Sequence, residues 1–304
     1  MRRAIGPLLL LLVVQLLILA RLYWPGSTGE IQPAEKLADT AAGEVDEIII
    51  GDEYDNEAVL RRVGEGWLLP ELDNLPADSD RVAQLLQGIL PDDAGWPVAD
   101  SPAARQRFQV ADYRYQRRIT LLGGGGLRER LYLGTAPAFR KVHARNASGG
   151  AIFTLAFNAF DAPARDDAWL DRRLLQVRSP LEVVADTYSV HWRDGRWLAG
   201  SGGQPDQREL DALLSALRSL QVQGVADLDR QRELSEAEAD RVLKVTGLRG
   251  EVTLELFSLE GQHYIFSSRH PYFFRLGDYD YDRLTGIDVM RISGRATGDA
   301  SPAE

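Results

Sequence analysis

Two stretches of this 304-residue chain restate one another, and a tandem repeat with a period of about 130 residues restricts the fold to two copies of one supersecondary unit. In the first copy Glu65-Gly66-Trp67-Leu68 precedes Asp78, a helix N-cap signal, and then Val82, Leu85, Leu86, Ile89 and Leu90 at helical spacing. In the second, Asp194-Gly195-Arg196-Trp197-Leu198 precedes Asp206 and Glu209, a capping-box pattern, and then Leu210, Leu213, Leu214 and Leu217. Each helix carries one apolar stripe and needs a sheet to cover.

The correspondence runs on downstream. Val98-Ala99-Asp100 answers Val225-Ala226-Asp227, and Ser235 with Glu238 predicts a second short helix in the second copy. Residues 116–122 and 251–257 read as strands returning through turns into residues 128–133 and 263–267. Val252, Leu254 and Leu256 alternate with Thr253 and Glu255, one face in and one out. Ile152-Phe153-Thr154-Leu155 and Phe273-Phe274-Arg275-Leu276 close the copies. The pattern predicts an α+β fold in which each repeat is an antiparallel sheet covered by one or two helices.

Ahead of the repeats, residues 5–22 form an almost unbroken apolar run behind Met1-Arg2-Arg3. As a helix it would be about 27 Å long, close to the hydrocarbon thickness of a bilayer. Arg2 and Arg3 assign the near side to the cytoplasm and the bulk of the chain to the far side. A cleaved leader needs small residues at the cut, and cutting after Ala20 would put Ile18 at the −3 position. The run is therefore read as an uncleaved anchor, with Ile5, Leu12, Leu19 and Leu22 on its apolar surface. The expected map is a transmembrane anchor at 1–24, a linker at 25–44, repeat one at 45–177, repeat two at 178–292 and a disordered tail at 293–304. The expected address is the bacterial inner membrane, single pass, with the bulk periplasmic.

Composition narrows the chemistry. With no cysteine, disulfides, thiol nucleophiles and thiolate zinc sites are excluded. Beyond residue 23 the chain holds 32 basic against 45 acidic side chains, a net of −13, a field that repels nucleic acid and anionic lipid.

A membrane anchor followed by a tandem repeat with Gly195-Arg196-Trp197, an Asp-capped leucine helix, a Val-Ala-Asp turn and a strand pair ending in Leu133-Gly134 resembles the bacterial family catalogued as domain of unknown function 4340. The likeness spans roughly residues 45–290. Between the repeats, Trp169-Leu170-Asp171-Arg172-Arg173-Leu174-Leu175 is similar to the family's Arg-Asp-Arg-x-Leu element, with Leu170 where arginine is usual. Members are often encoded beside ABC-type transport systems of the kind linked to gliding motility. The resemblance implies an accessory envelope protein with a protein partner in a transport complex, not a reaction.

Residues 123–126 are four glycines without a following Gly-Lys-Ser/Thr, and read as a hairpin loop, not a phosphate loop. Asp278, Asp280 and Asp282 imitate a calcium loop, but its sixth position is Arg283 and its twelfth Val289, so they read as a solvated acidic edge. His143, His191, His263 and His270 form no metal-ligand spacing, and no cofactor is expected. Arg140, Lys141, His143 and Arg145 fall within six residues, and strand periodicity puts the last three on one face. That face is the candidate site for an anionic group or an acidic partner surface. Reversing Lys141 and Arg145 to glutamate is expected to weaken partner binding while leaving stability intact.

Three classes of function follow. The first is a non-enzymatic, membrane-anchored scaffold of a transport or envelope-assembly machine. The second is a hydrolase or transferase of envelope polymers that uses two facing carboxylates. The third is a polysaccharide- or peptide-binding module, expected to present exposed tryptophans in a groove, which exposure of Trp192 and Trp96 would favour.

Overall fold

The computed structural model describes residues 36–295, together with Leu12, Val14 and Gln15. The fold is mixed α+β and dominated by two large antiparallel sheets. The first is built from β1 (Glu47–Asp52), β2 (Glu57–Val63), β3 (Gly66–Leu69) and β4 (Leu75–Pro76), and, after helices α1 (Ser79–Ile89) and α2 (Pro102–Arg107), from later strands. A separate hairpin, β5 (Val110–Ala111) with β6 (Arg114–Tyr115), precedes β7 (Arg117–Gly123), β8 (Gly126–Leu133), β9 (Val142–Asn146) and β10 (Ile152–Leu155). The strand order is β10-β9-β8-β7-β1-β2-β3-β4.

The second sheet begins with β11 (Pro180–Ala185), β12 (Ser189–Arg193) and β13 (Arg196–Ala199). Helix α3 (Gln207–Ser219), β14 (Val222–Val225) and helix α4 (Leu228–Glu236) follow. Then come β15 (Arg241–Gly247), β16 (Gly250–Leu259), β17 (Gln262–Ser267) and β18 (Phe273–Leu276), and helices α5 (Asp278–Thr285) and α6 (Val289–Ile292). Its order is β13-β12-β11-β15-β16-β17-β18-β14.

Local chemistry explains most of these elements. Asp78 accepts from the Asp80 and Arg81 amides, and α1 buries the expected stripe of Val82, Leu85, Leu86 and Ile89. Asp206 caps α3 through the Arg208 and Glu209 amides, but the expected reciprocal box is absent: Glu209 instead accepts from the Asp288 amide at 3.1 Å. The helix expected from Ser235 and Glu238 lies earlier in the chain. Asp227 caps it through the Arg230 amide, and Ser235 sits in its last turn, donating to the Arg232 carbonyl. Ala237, in extended conformation, ends the helix ahead of Glu238, so the expected box does not form. Gly124 and Gly125 both have positive φ, as do Asp194 with Gly195 and Glu260 with Gly261. These are the two-residue turns whose twist matches hairpin strands. A Cβ at Gly123 would collide with the Glu44 carbonyl, so the glycine run also allows close backbone approach.

One apolar core runs through both sheets and includes Ile48, Leu60, Leu131, Leu213, Val245 and Phe274. The segment between the sheets is stitched to both. The Asp78 amide donates to the Trp169 carbonyl at 2.7 Å, the Asp171 amide to Pro76, and the Val222 amide to Arg172. Trp169 is fully buried there. The outer faces carry smaller clusters, Val110, Tyr132 and Ile152 under α2, and Leu234, Phe257 and Tyr264 under α4.

The expected linker and tail are partly folded. Leu37 is 2 % exposed in the core, Ala42–Glu44 form a 3₁₀ turn, and the Ser201 hydroxyl donates to the Ser293 carbonyl. Of the expected anchor, Ile5, Leu19 and Leu22 lie outside the described residues, whereas Leu12 is helical and exposed. Among the described residues no helix is long and apolar enough to cross a membrane.

Candidate functional site

Strand β9 places His143 and Arg145 on one face, as periodicity requires, but that face is covered. Arg145 is 1 % exposed. Its Nε donates to the Val110 carbonyl at 2.7 Å, and its Nη1 to the carbonyls of Asn146 and Gly149 at 3.0 and 3.1 Å. Its Nη2 pairs with Asp112, and the guanidinium lies 5.0 Å from the Tyr132 ring centroid. Every edge of the fork is used within the chain, so Arg145 clamps the β5–β6 hairpin and the 146–149 turn onto the sheet. His143 is also buried, with Nδ1 2.9 Å from the Thr135 hydroxyl and its ring 4.1 Å from that of Phe108. Burial, helped by nearby Arg107, holds its pKa below the ordinary imidazole value. The expected open face is therefore corrected: α2 and the β5–β6 hairpin seal it, an effect of residues 100–115 that a strand pattern alone does not contain.

Arg140 and Lys141 remain exposed, just ahead of β9, with Arg140 in a left-handed conformation. Arg140 lines a cleft of ≈ 460 Å³ beside α1, with Arg81, Gln84, Gln87 and Asp161 around a floor of Leu85 and Phe157. Arg81 is fixed by donating to the Ala168 carbonyl, with its guanidinium 4.9 Å from the Trp169 ring. Next to these lining residues in the chain stand Phe139 and Phe160, 90 % and 80 % exposed. The arrangement offers cations, amides and aromatic surface, the equipment of recognition.

Other candidates fall as follows. Asp278, Asp280 and Asp282 lie on helix α5, not in a loop, and Asp280 has a raised pKa because it is partly buried. Asp278 and Asp227 share a cleft of ≈ 360 Å³ with His263, whose ring stacks on Tyr281 and whose Nε2 is 3.8 Å from Asp278. Asp227, however, is engaged as the cap of α4. Trp67 and Trp169 are core residues, whereas Trp96 and Trp192 are exposed, and Trp192 meets Trp197 edge-on at 5.9 Å. Among the described residues no group of three or more histidines and carboxylates is arranged to hold a metal. A further basic cleft, formed by Arg173, Arg178, Arg249 and Arg269, was not legible in the sequence, because three distant segments build it. Of the joining element's two arginines, Arg173 lines the cleft and Arg172 does not.

The chain is thus a mixed α+β protein built on two large antiparallel sheets. The family model described as domain of unknown function (DUF4340) matches residues 67–242, more than half of the chain, and the chain belongs to that family. No curated protein and no solved structure matches it.

Proposed function

We propose that the protein is a non-enzymatic, membrane-anchored accessory or scaffold protein of the periplasm, serving an ABC-type transport or envelope-assembly system. Residues 5–22 behind Arg2 and Arg3 are the anchor in this reading, and the sheets are the working part. The two sheets are taken as tandem copies of one module. In support, β3-β2-β1-β7-β8-β9-β10 and β13-β12-β11-β15-β16-β17-β18 run in the same order, the eighth strands differing: β4 lies beside β3, whereas β14 lies beside β18. Each copy has a capped leucine helix after its third strand and a second helix over the outer face.

The observation that carries the reading is the surface at Arg140. Arg140 and Arg81 line the cleft, and exposed Phe139 and Phe160 adjoin its lining residues Arg140 and Asp161 in the chain; arginine and phenylalanine are side-chain types enriched in protein interfaces. The test is crosslinking and purification from native membranes, comparing the wild type with a Phe139→Ala/Arg140→Glu/Phe160→Ala variant. Transporter subunits should accompany the wild type and be depleted with the variant; equal recovery from both would remove this surface from the proposal.

A second reading, an envelope-polymer binding module, has one observation in its favour: Trp192 is 47 % and Trp96 73 % exposed. Trp192 is paired across the edge strands with the partly buried Trp197, which meets it edge-on. Pull-down on purified peptidoglycan and envelope polysaccharide, lost on Trp192→Ala, would favour it.

A further inference from the structure

The seam between the sheets holds a cleft of ≈ 520 Å³ lined by Arg173, Arg178, Arg249 and Arg269, in a chain whose net charge is −10. Its geometry is set by backbone. Gly247 pairs with Pro180, and a Cβ at Gly247 would lie 2.9 Å from the Ser179 carbonyl oxygen, so the β15–β16 turn sits hard against residues 177–179. That contact brings Arg249, at the tip of the turn, to the same cleft as Arg178. Arg269 reaches over the turn from beyond β17, donating to the Gly250 carbonyl at 3.3 Å.

The charges there are unequally compensated. Arg173 faces Asp171 at 3.1 Å, Asp80 at 3.5 Å and Asp78 at 3.9 Å, and is neutralised within the chain. Among the described residues, Arg178, Arg249 and Arg269 have no carboxylate partner. Three arginines from three segments thus line one cleft, whose lining carboxylate, Asp171, is already paired with Arg173. Guanidinium forks suit tetrahedral oxyanions, and the volume is that of a small-ligand site.

We propose that this cleft binds a phosphoryl oxyanion, held by Arg178, Arg249 and Arg269, with Arg173 and its aspartates bracing the floor. The same chemistry is offered by a free multivalent phosphate and by a phospholipid headgroup. The test is titration calorimetry of the full-length protein in detergent, at low and high salt, with sodium pyrophosphate and, separately, with glycerophosphoglycerol, a headgroup without its chains. Saturable, salt-sensitive binding of either is expected, weakened at least about tenfold by Arg178→Ala or Arg249→Ala and partly restored by Arg249→Lys. Preference for pyrophosphate would identify a free phosphate; preference for glycerophosphoglycerol, a lipid. Both side chains are exposed and unpaired, so the variants keep the fold, checked by an unchanged melting temperature. No saturable binding up to about 10 mM of either probe, or equal binding by wild type and variants, would overturn the proposal.

Discussion

The Nε of Arg145 donates to the carbonyl of Val110 across 2.7 Å, which ties a strand of the first sheet to a hairpin lying over its outer face. The same side chain satisfies two further carbonyls and Asp112. Arg145→Ala or Arg145→Glu should therefore destabilise the protein by about 2 kcal/mol, since the buried Val110 carbonyl and two part-buried carbonyls lose their donor at once. Urea unfolding measures this, with Lys141→Glu as the neutral control. Stability unchanged in Arg145→Glu would restore the open-face reading.

His143 gives the fold a pH dependence. Its folded pKa lies below the unfolded value near 6.5, so as pH falls through that value the unfolded chain takes up a proton that the folded one refuses. Stability is complete above the unfolded pKa and declines toward the folded one, and His270, also depressed by burial, adds in the same direction. Unfolding free energies at pH 7.5, 6.5 and 5.5 should fall in that order, less steeply in His143→Gln. A steeper fall in His143→Gln would contradict the assignment.

Tyr188 is 6 % exposed, and its hydroxyl has no hydrogen-bond partner among the described residues. Burial pushes its pKa up to about 12. Tyr188→Phe should be neutral or stabilising by up to about 1 kcal/mol, because it removes a buried, unpaired polar group. A melting temperature that drops would reveal a partner.

The cap of α3 divides into local and distant parts. Asp206→Ala should cost about 1 kcal/mol through the lost cap. Glu209→Ala should instead loosen residues 288–292, seen as faster amide hydrogen exchange at Asp288, whose N–H it accepts. Unchanged exchange there would mean the contact is dispensable.

This division also describes what the sequence made legible. Asp78, Asp206, the leucine stripes, the glycine turn and the strand pairs rest on neighbours within a few residues, and the structure has them where the periodicities put them. The partner of Glu209 lies 79 residues away, and the cover over Arg145 comes from residues 33 to 35 positions earlier. A basic residue in a strand reads as solvent-facing until something packs on it, and nothing in residues 140–145 encodes that hairpin. The arginine cleft at the seam is the same case: Arg178, Arg249 and Arg269 share no local pattern.

Mass spectrometry of what copurifies with the tagged full-length protein, after mild crosslinking in its native membranes, tests the proposed scaffold role. Subunits of an ABC-type transport or envelope-assembly system are expected, recovered from the membrane fraction and depleted by the substitutions at Phe139, Arg140 and Phe160. A partner-free protein, or one recovered from the soluble fraction, would contradict it.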